Sequence, residues 1–178
     1  MRRTRYNLTE AVAAATLIPL SEYLETSYRP DCDYLDGALL ERNVGEWDHS
    51  RLQQVLSRYM GNREKQWGVL VVTEQRLQVT LSRFRIPDIA IVSSPPEDGR
   101  IVDEPPFLCI EILSPRDRMT EMQERIDDYL KFGVRYVWVI NPVNRRASIY
   151  TADGTREMRD GILRTSDPEI VVPRADLE

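Results

Sequence analysis

Phe107-Leu108-Cys109-Ile110-Glu111-Ile112-Leu113 is apolar at every position but one. Ser114-Pro115 closes the run. A stretch this short and this continuously apolar reads as a strand in the middle of a sheet, covered on both faces. Glu111 is therefore the informative residue. An unpaired carboxylate in such a strand costs roughly several kcal/mol, so it must be paired, protonated or metal-bound. Side chains alternate along a strand, which sends Glu111 to the face of Cys109 and Leu113, away from Ile110 and Ile112. The plainest partner is Arg125, in a buried ion pair; the other reading is a functional site.

The neighbouring segments build a sheet around this strand. Ile89 to Val92 is a second buried strand introduced by Pro87, and Val134 to Ile140 a third. Ala147 to Thr151 pairs back as a hairpin. Thr120 to Lys131 carries Met122, Ile126, Tyr129 and Leu130 at helical spacing, with Thr120 and Gln123 placed as a capping box and Gly133 as the stop. Leu52, Val55, Leu56, Tyr59 and Met60 mark a second amphipathic helix over Asp48 to Met60. A short helix capped by Ser21 leads into a hairpin that turns at Asp36-Gly37. Gly68 to Thr73 reads as a strand, and Leu77, Val79 and Leu81 as another with one wet face. The fold class is α+β: a mixed sheet flanked by helices.

Length and charge limit the rest. The chain has 178 residues, enough for one domain, set at 18–178 behind a flexible tail over 1–17. No apolar run is long enough to cross a bilayer. The basic Met1 to Arg5 and the weakly apolar Ala11 to Leu20 are interrupted by polar residues, and a cytoplasmic location is expected. Two cysteines make neither a disulfide framework nor a zinc site. A net charge of −5 argues against a tight, sequence-independent polyanion binder. A nucleic-acid partner then requires local basic groups, for which Arg83 with Arg85, Arg116 with Arg118, and Arg145 with Arg146 are the candidates.

Asp88 opens the strand after Pro87, where it can project from the sheet end. Two carboxylates on adjacent strands come within reach of one hard cation, and Mg²⁺ or Mn²⁺ is usually held by one or two carboxylates plus waters. Such an ion serves phosphodiester hydrolysis. Asp33, opening the first hairpin, offers a third carboxylate. His49, the only histidine, stands at a helix start where it caps backbone donors or carries a proton.

Three strings carry a family resemblance: Pro87 to Val92, Cys109 to Pro115, and Tyr129 to Ile140. In this order and spacing they resemble the Uma family, bacterial restriction-endonuclease-like proteins of the PD-(D/E)XK superfamily. Leu20 to Gly37 resembles that family's opening helix and hairpin, and the likeness spans Ile18 to Tyr150. It implies a restriction-endonuclease-like mixed sheet, with Asp88, Glu111 and the Ile112 carbonyl as Mg²⁺ ligands and DNA as partner; a homodimer across an exposed sheet edge is the expectation by analogy. Two positions depart from the pattern. Leu113 stands where the superfamily has its lysine, and Arg125 stands where the family places that lysine on the following helix. Asp33 replaces a glutamate. Arginine holds a phosphate or orients a carboxylate, but it is always charged and cannot serve as a general base. Lys131 is a substitute at the far end of the helix. Three readings follow: a Mg²⁺-dependent endonuclease using Asp88, Glu111, Arg125, Asp33 and His49; a module that keeps the fold and binds without cutting; and another hydrolase using the same metal.

Overall fold

The computed structural model describes residues 17–43 and 45–177; the predicted tail over 1–17 lies almost wholly outside them. The chain runs α1 (Leu20–Glu25), a hairpin of β1 (Cys32–Leu35) and β2 (Ala38–Glu41), α2 (Trp47–Gly61), a single turn α3 (Glu64–Trp67), then β3 (Leu70–Thr73), β4 (Leu77–Thr80), β5 (Arg83–Arg85) and β6 (Ile89–Val92). After these come β7 (Leu108–Ile112), α4 (Met119–Phe132), β8 (Tyr136–Ile140), β9 (Ala147–Thr151), β10 (Gly154–Glu157), β11 (Ile162–Arg164), β12 (Val171–Pro173) and a closing 3₁₀ turn, Arg174–Leu177. Among the described residues no helix is long and apolar enough to cross a membrane.

Six strands form the main sheet in the order β10-β9-β8-β7-β6-β3. Every neighbouring pair is antiparallel except β7 and β8, which α4 connects and which run parallel. A four-stranded antiparallel sheet, β2-β1-β5-β4, and a two-stranded ribbon, β11-β12, complete the α+β fold.

The sequence of β7 is explained by what lies on its two sides. Leu108, Ile110 and Ile112 pack with Ile89, Ile91 and Trp138 against the apolar stripe of α2. Cys109, one position off, faces the other way, into a core with Val137, Val139 and the stripe of α4: Met122, Ile126 and Tyr129. Both faces are covered, so no position of β7 reaches water. Gly133 ends α4 with φ of 111°, in the left-handed region, and its N–H bonds back to Tyr129 and Leu130.

Several expectations are corrected. Ser21 is not a cap: α1 begins one residue earlier behind Pro19, which makes no side-chain bond. Thr120 and Gln123 form no capping box, because α4 starts at Met119 behind an extended Arg118. Leu77 and Val79 are buried as their alternation predicts, but Leu81 sits in the turn between β4 and β5 with 87% of its surface exposed. Arg83 and Arg85 are not a surface pair. Arg85 is fully buried, and Arg83 is ion-paired to Asp128.

Truncation of Ile110 to Ala removes a fully buried side chain from the α2 face and is expected to cost about 2–5 kcal/mol of stability in urea unfolding. Leu81→Ser, at the exposed turn, is expected to change it by no more than about 0.5 kcal/mol.

Candidate active site

The antiparallel register that sets Ile89 opposite Ile110 continues one step to bring Asp88 beside Glu111. Both side chains leave the sheet on the α4 face, since Ile89 and Ile110 occupy the α2 face. Both acids are buried, at 2% and 1% exposure. A small cleft opens over them, lined also by Arg42, His49, Ile112 and Arg125.

Asp88 is held from three parts of the chain: β7, α2 and the segment after β2. Its Oδ2 accepts the backbone N–H of Ile112 at 2.6 Å and lies 3.3 Å from His49 Nε2, on the first turn of α2. Its Oδ1 accepts from Arg42 Nη2 at 2.5 Å. Gln53, one turn along α2, donates to its carbonyl at 3.0 Å. Glu111 is held from α4: Tyr129 donates its hydroxyl to Oε1 at 2.6 Å, and Arg125 Nη1 donates to Oε2 at 3.1 Å. Positions 125 and 129 are one helical turn apart, which is why one face of α4 supplies both donors.

Asp33 lies on the far side of Arg125. Its Oδ2 accepts from Arg125 Nη2 at 3.1 Å and from Arg85 Nη1 at 3.0 Å, and its Oδ1 accepts the backbone N–H of Ile86 at 3.1 Å. Arg85 continues to Asp128 on α4, donating from Nε at 2.7 Å. Acids and arginines thus alternate across the interface between the two larger sheets and α4. Lys131 stands exposed in the last turn of α4 and does not line the cleft.

The structure brings Asp88, Glu111, Arg125, Ile112 and His49 to one cleft and sets Asp33 behind Arg125. The sequence reading took Tyr129 only as core and missed Arg42, just past β2. Its Nη2 lies between the two acids, 3.8 Å from Glu111 Oε2 as well as 2.5 Å from Asp88 Oδ1. It stands in the polar stretch Glu41-Arg42-Asn43, which has no period to mark it.

Burial pushes both acids toward their protonated forms, with different outcomes. At Asp88 the Arg42 guanidinium, His49 and the Ile112 N–H overcome burial and hold the carboxyl below the usual aspartate range. At Glu111 burial outweighs Arg125 and Arg42, the Asp88 charge adds to it, and the carboxyl is raised. His49 is raised in its turn: burial lowers it, but the hydrogen bond and charge of Asp88 outweigh that effect.

The layered α+β fold is of the restriction-endonuclease-like class. The model of the Uma2 family, described as "Putative restriction endonuclease", matches residues 20–174, and the chain belongs to that family. A crystal structure of "a putative nuclease belonging to DUF820" from Anabaena variabilis superposes with a TM-score of 0.75, at 23% identity over 90% of this chain and 97% of that one. A cryo-electron-microscopy structure of a DrdV–DNA complex aligns with a TM-score of 0.40 and 12% identity, over 73% of this chain and 12% of that one. No curated protein matches the chain.

Arg125→Ala leaves two buried carboxylates, Glu111 and Asp33, without their shared cation. It is expected to destabilise the protein by about 3–5 kcal/mol in urea unfolding. Arg125→Lys, which keeps the charge but cannot reach both acids with a planar fork, is expected to fall between it and the wild type.

Proposed function

We propose that the chain is a divalent-metal-dependent endonuclease that hydrolyses phosphodiester bonds in DNA, with Asp88 and Glu111 as its metal-holding acids. The observation that carries this reading is the convergence of two buried carboxylates from neighbouring strands on one nitrogen of a cation, Arg42 Nη2. The position is built for positive charge. Among the described residues no three His, Cys, Asp or Glu side chains gather around one point, so the protein offers two carboxylates. That donor set fits Mg²⁺ or Mn²⁺, which completes its shell with carbonyl oxygen and water, and does not fit zinc. Ile112 lines the same cleft, and its carbonyl is the further oxygen ligand in this reading. Family membership supports the nuclease assignment.

A metal bound there supplies an activated water and neutralises charge on the scissile phosphate. The chain's own residues do the positioning. Arg125 and Tyr129 hold the two oxygens of Glu111, and the Ile112 N–H fixes one oxygen of Asp88, so both acids are preorganised before a ligand arrives. Asp33 acts through Arg125, fixing its second nitrogen. Arg125 keeps its charge throughout and takes no proton from water; its part is to orient and neutralise. His49 meets Asp88 from the α2 side, beside the cleft, where it can relay a proton.

The test is cleavage of supercoiled plasmid DNA in Mg²⁺ or Mn²⁺. Asp88→Asn and Glu111→Gln, which preserve shape, are expected to lower the rate by at least about 100-fold, as loss of a principal charge-stabilising group does. Full activity in either variant would sink the assignment. A binding module that does not cut is the second reading, favoured by the two arginines already paired with the acids. It is selected if the wild type binds DNA but leaves it intact in every divalent metal.

A further inference from the structure

Arg42 does not belong to the catalytic set that the fold class implies, yet it stands where the cation would be. Its guanidinium touches Asp88 and approaches Glu111. One of its nitrogens, Nη1, is buried with no hydrogen-bond partner among the described residues. A buried donor left unpaired is costly, so the seat is an imperfect one for arginine. It also brings a single charge to a place shared by two carboxylates. With Arg42 in the cleft, its guanidinium takes up the position between the two carboxylates.

The backbone at Arg42 is anchored: its N–H bonds to the carbonyl of Asp31 at 2.9 Å. Next to it, Asn43 donates to Asp117 at 2.7 Å, tying this segment to the loop before α4. The segment therefore stays, and the long side chain is the part that can move. Asn43 and the exposed Arg118 line the same cleft.

We propose that Arg42 is an exchangeable counter-ion. It fills the cation position while no metal is bound, withdraws when a divalent ion enters, and in its outward position takes a substrate phosphate as its new partner. This rests on the metal reading of the site given above.

Exchange predicts effects of opposite sign, which a purely structural role does not. Mn²⁺ is titrated calorimetrically into the full chain and its Arg42→Met variant. If Arg42 is withdrawn in roughly a tenth of resting molecules, its removal tightens metal binding about tenfold. Binding of a fluorescent DNA duplex in Ca²⁺ is expected to weaken about tenfold through loss of one charged phosphate contact. Equal metal affinity, or metal and DNA affinities that fall together, overturns the exchange; unchanged DNA binding overturns its phosphate half. If the wild type binds no Mn²⁺ at all, the metal reading falls and the exchange falls with it. Should Arg42→Met fail to fold, side-chain NMR of the wild type decides. Mg²⁺ is expected to shift the Arg42 guanidinium signal and leave that of Arg85, and an unmoved Arg42 signal overturns the proposal.

Discussion

A carboxylate in the central strand of a covered sheet dictates much of what surrounds it. Glu111 cannot reach water from β7, so water's role passes to Tyr129 and Arg125. Arg125 in turn is shared with Asp33, Asp33 with Arg85, and Arg85 with Asp128. Each buried charge is tolerable only because the next is present. The chain of alternating signs joins the four-stranded sheet to α4 alongside the apolar cluster that Leu77 and Val79 share with Met122 and Ile126. The polar interior is thus both the candidate site and part of the frame.

The two cores divide the labour cleanly. The α2 face of the main sheet is apolar at its centre and holds Trp138. The α4 face becomes polar toward one end, where Asp88 and Glu111 emerge. Strand β7 can serve both because consecutive residues point oppositely. A register slip by one position would place Glu111 against α2 and the isoleucines in the cleft, so the fold and the site are specified by the same alternation.

Much of this was legible in the sequence because the signals are local. The apolar run of β7, the stripes of α2 and α4, and the Asp36-Gly37 turn each need only a few adjacent residues. Glu111 was visible as a charge out of place, with Arg125 named as a candidate partner, its place four residues before Tyr129 coming from the family resemblance. What could not be read is non-local. Arg42 is 46 residues from Asp88 in the chain, in a stretch whose composition is that of any loop. Arg83 and Arg85 look like surface residues for the same reason: their partners Asp33 and Asp128 lie 52 and 43 residues from Arg85. The caps failed differently. Ser21 and Thr120 have suitable side chains, but the helices begin one residue before each, which is within the ordinary latitude of helix ends.

The interior charges come from distant parts of the chain: Asp33 and Arg42 around the first hairpin, Asp88 before β6, Glu111 on β7, and Arg125 on α4. Helices and hairpins can form alone within microseconds, but this constellation exists only after long loops have closed. A nascent polypeptide still on the ribosome has no assembled pocket until β7 and α4 have both emerged and docked. Assembly of the candidate site is therefore coupled to the completion of folding, and a copy truncated before α4 would lack it.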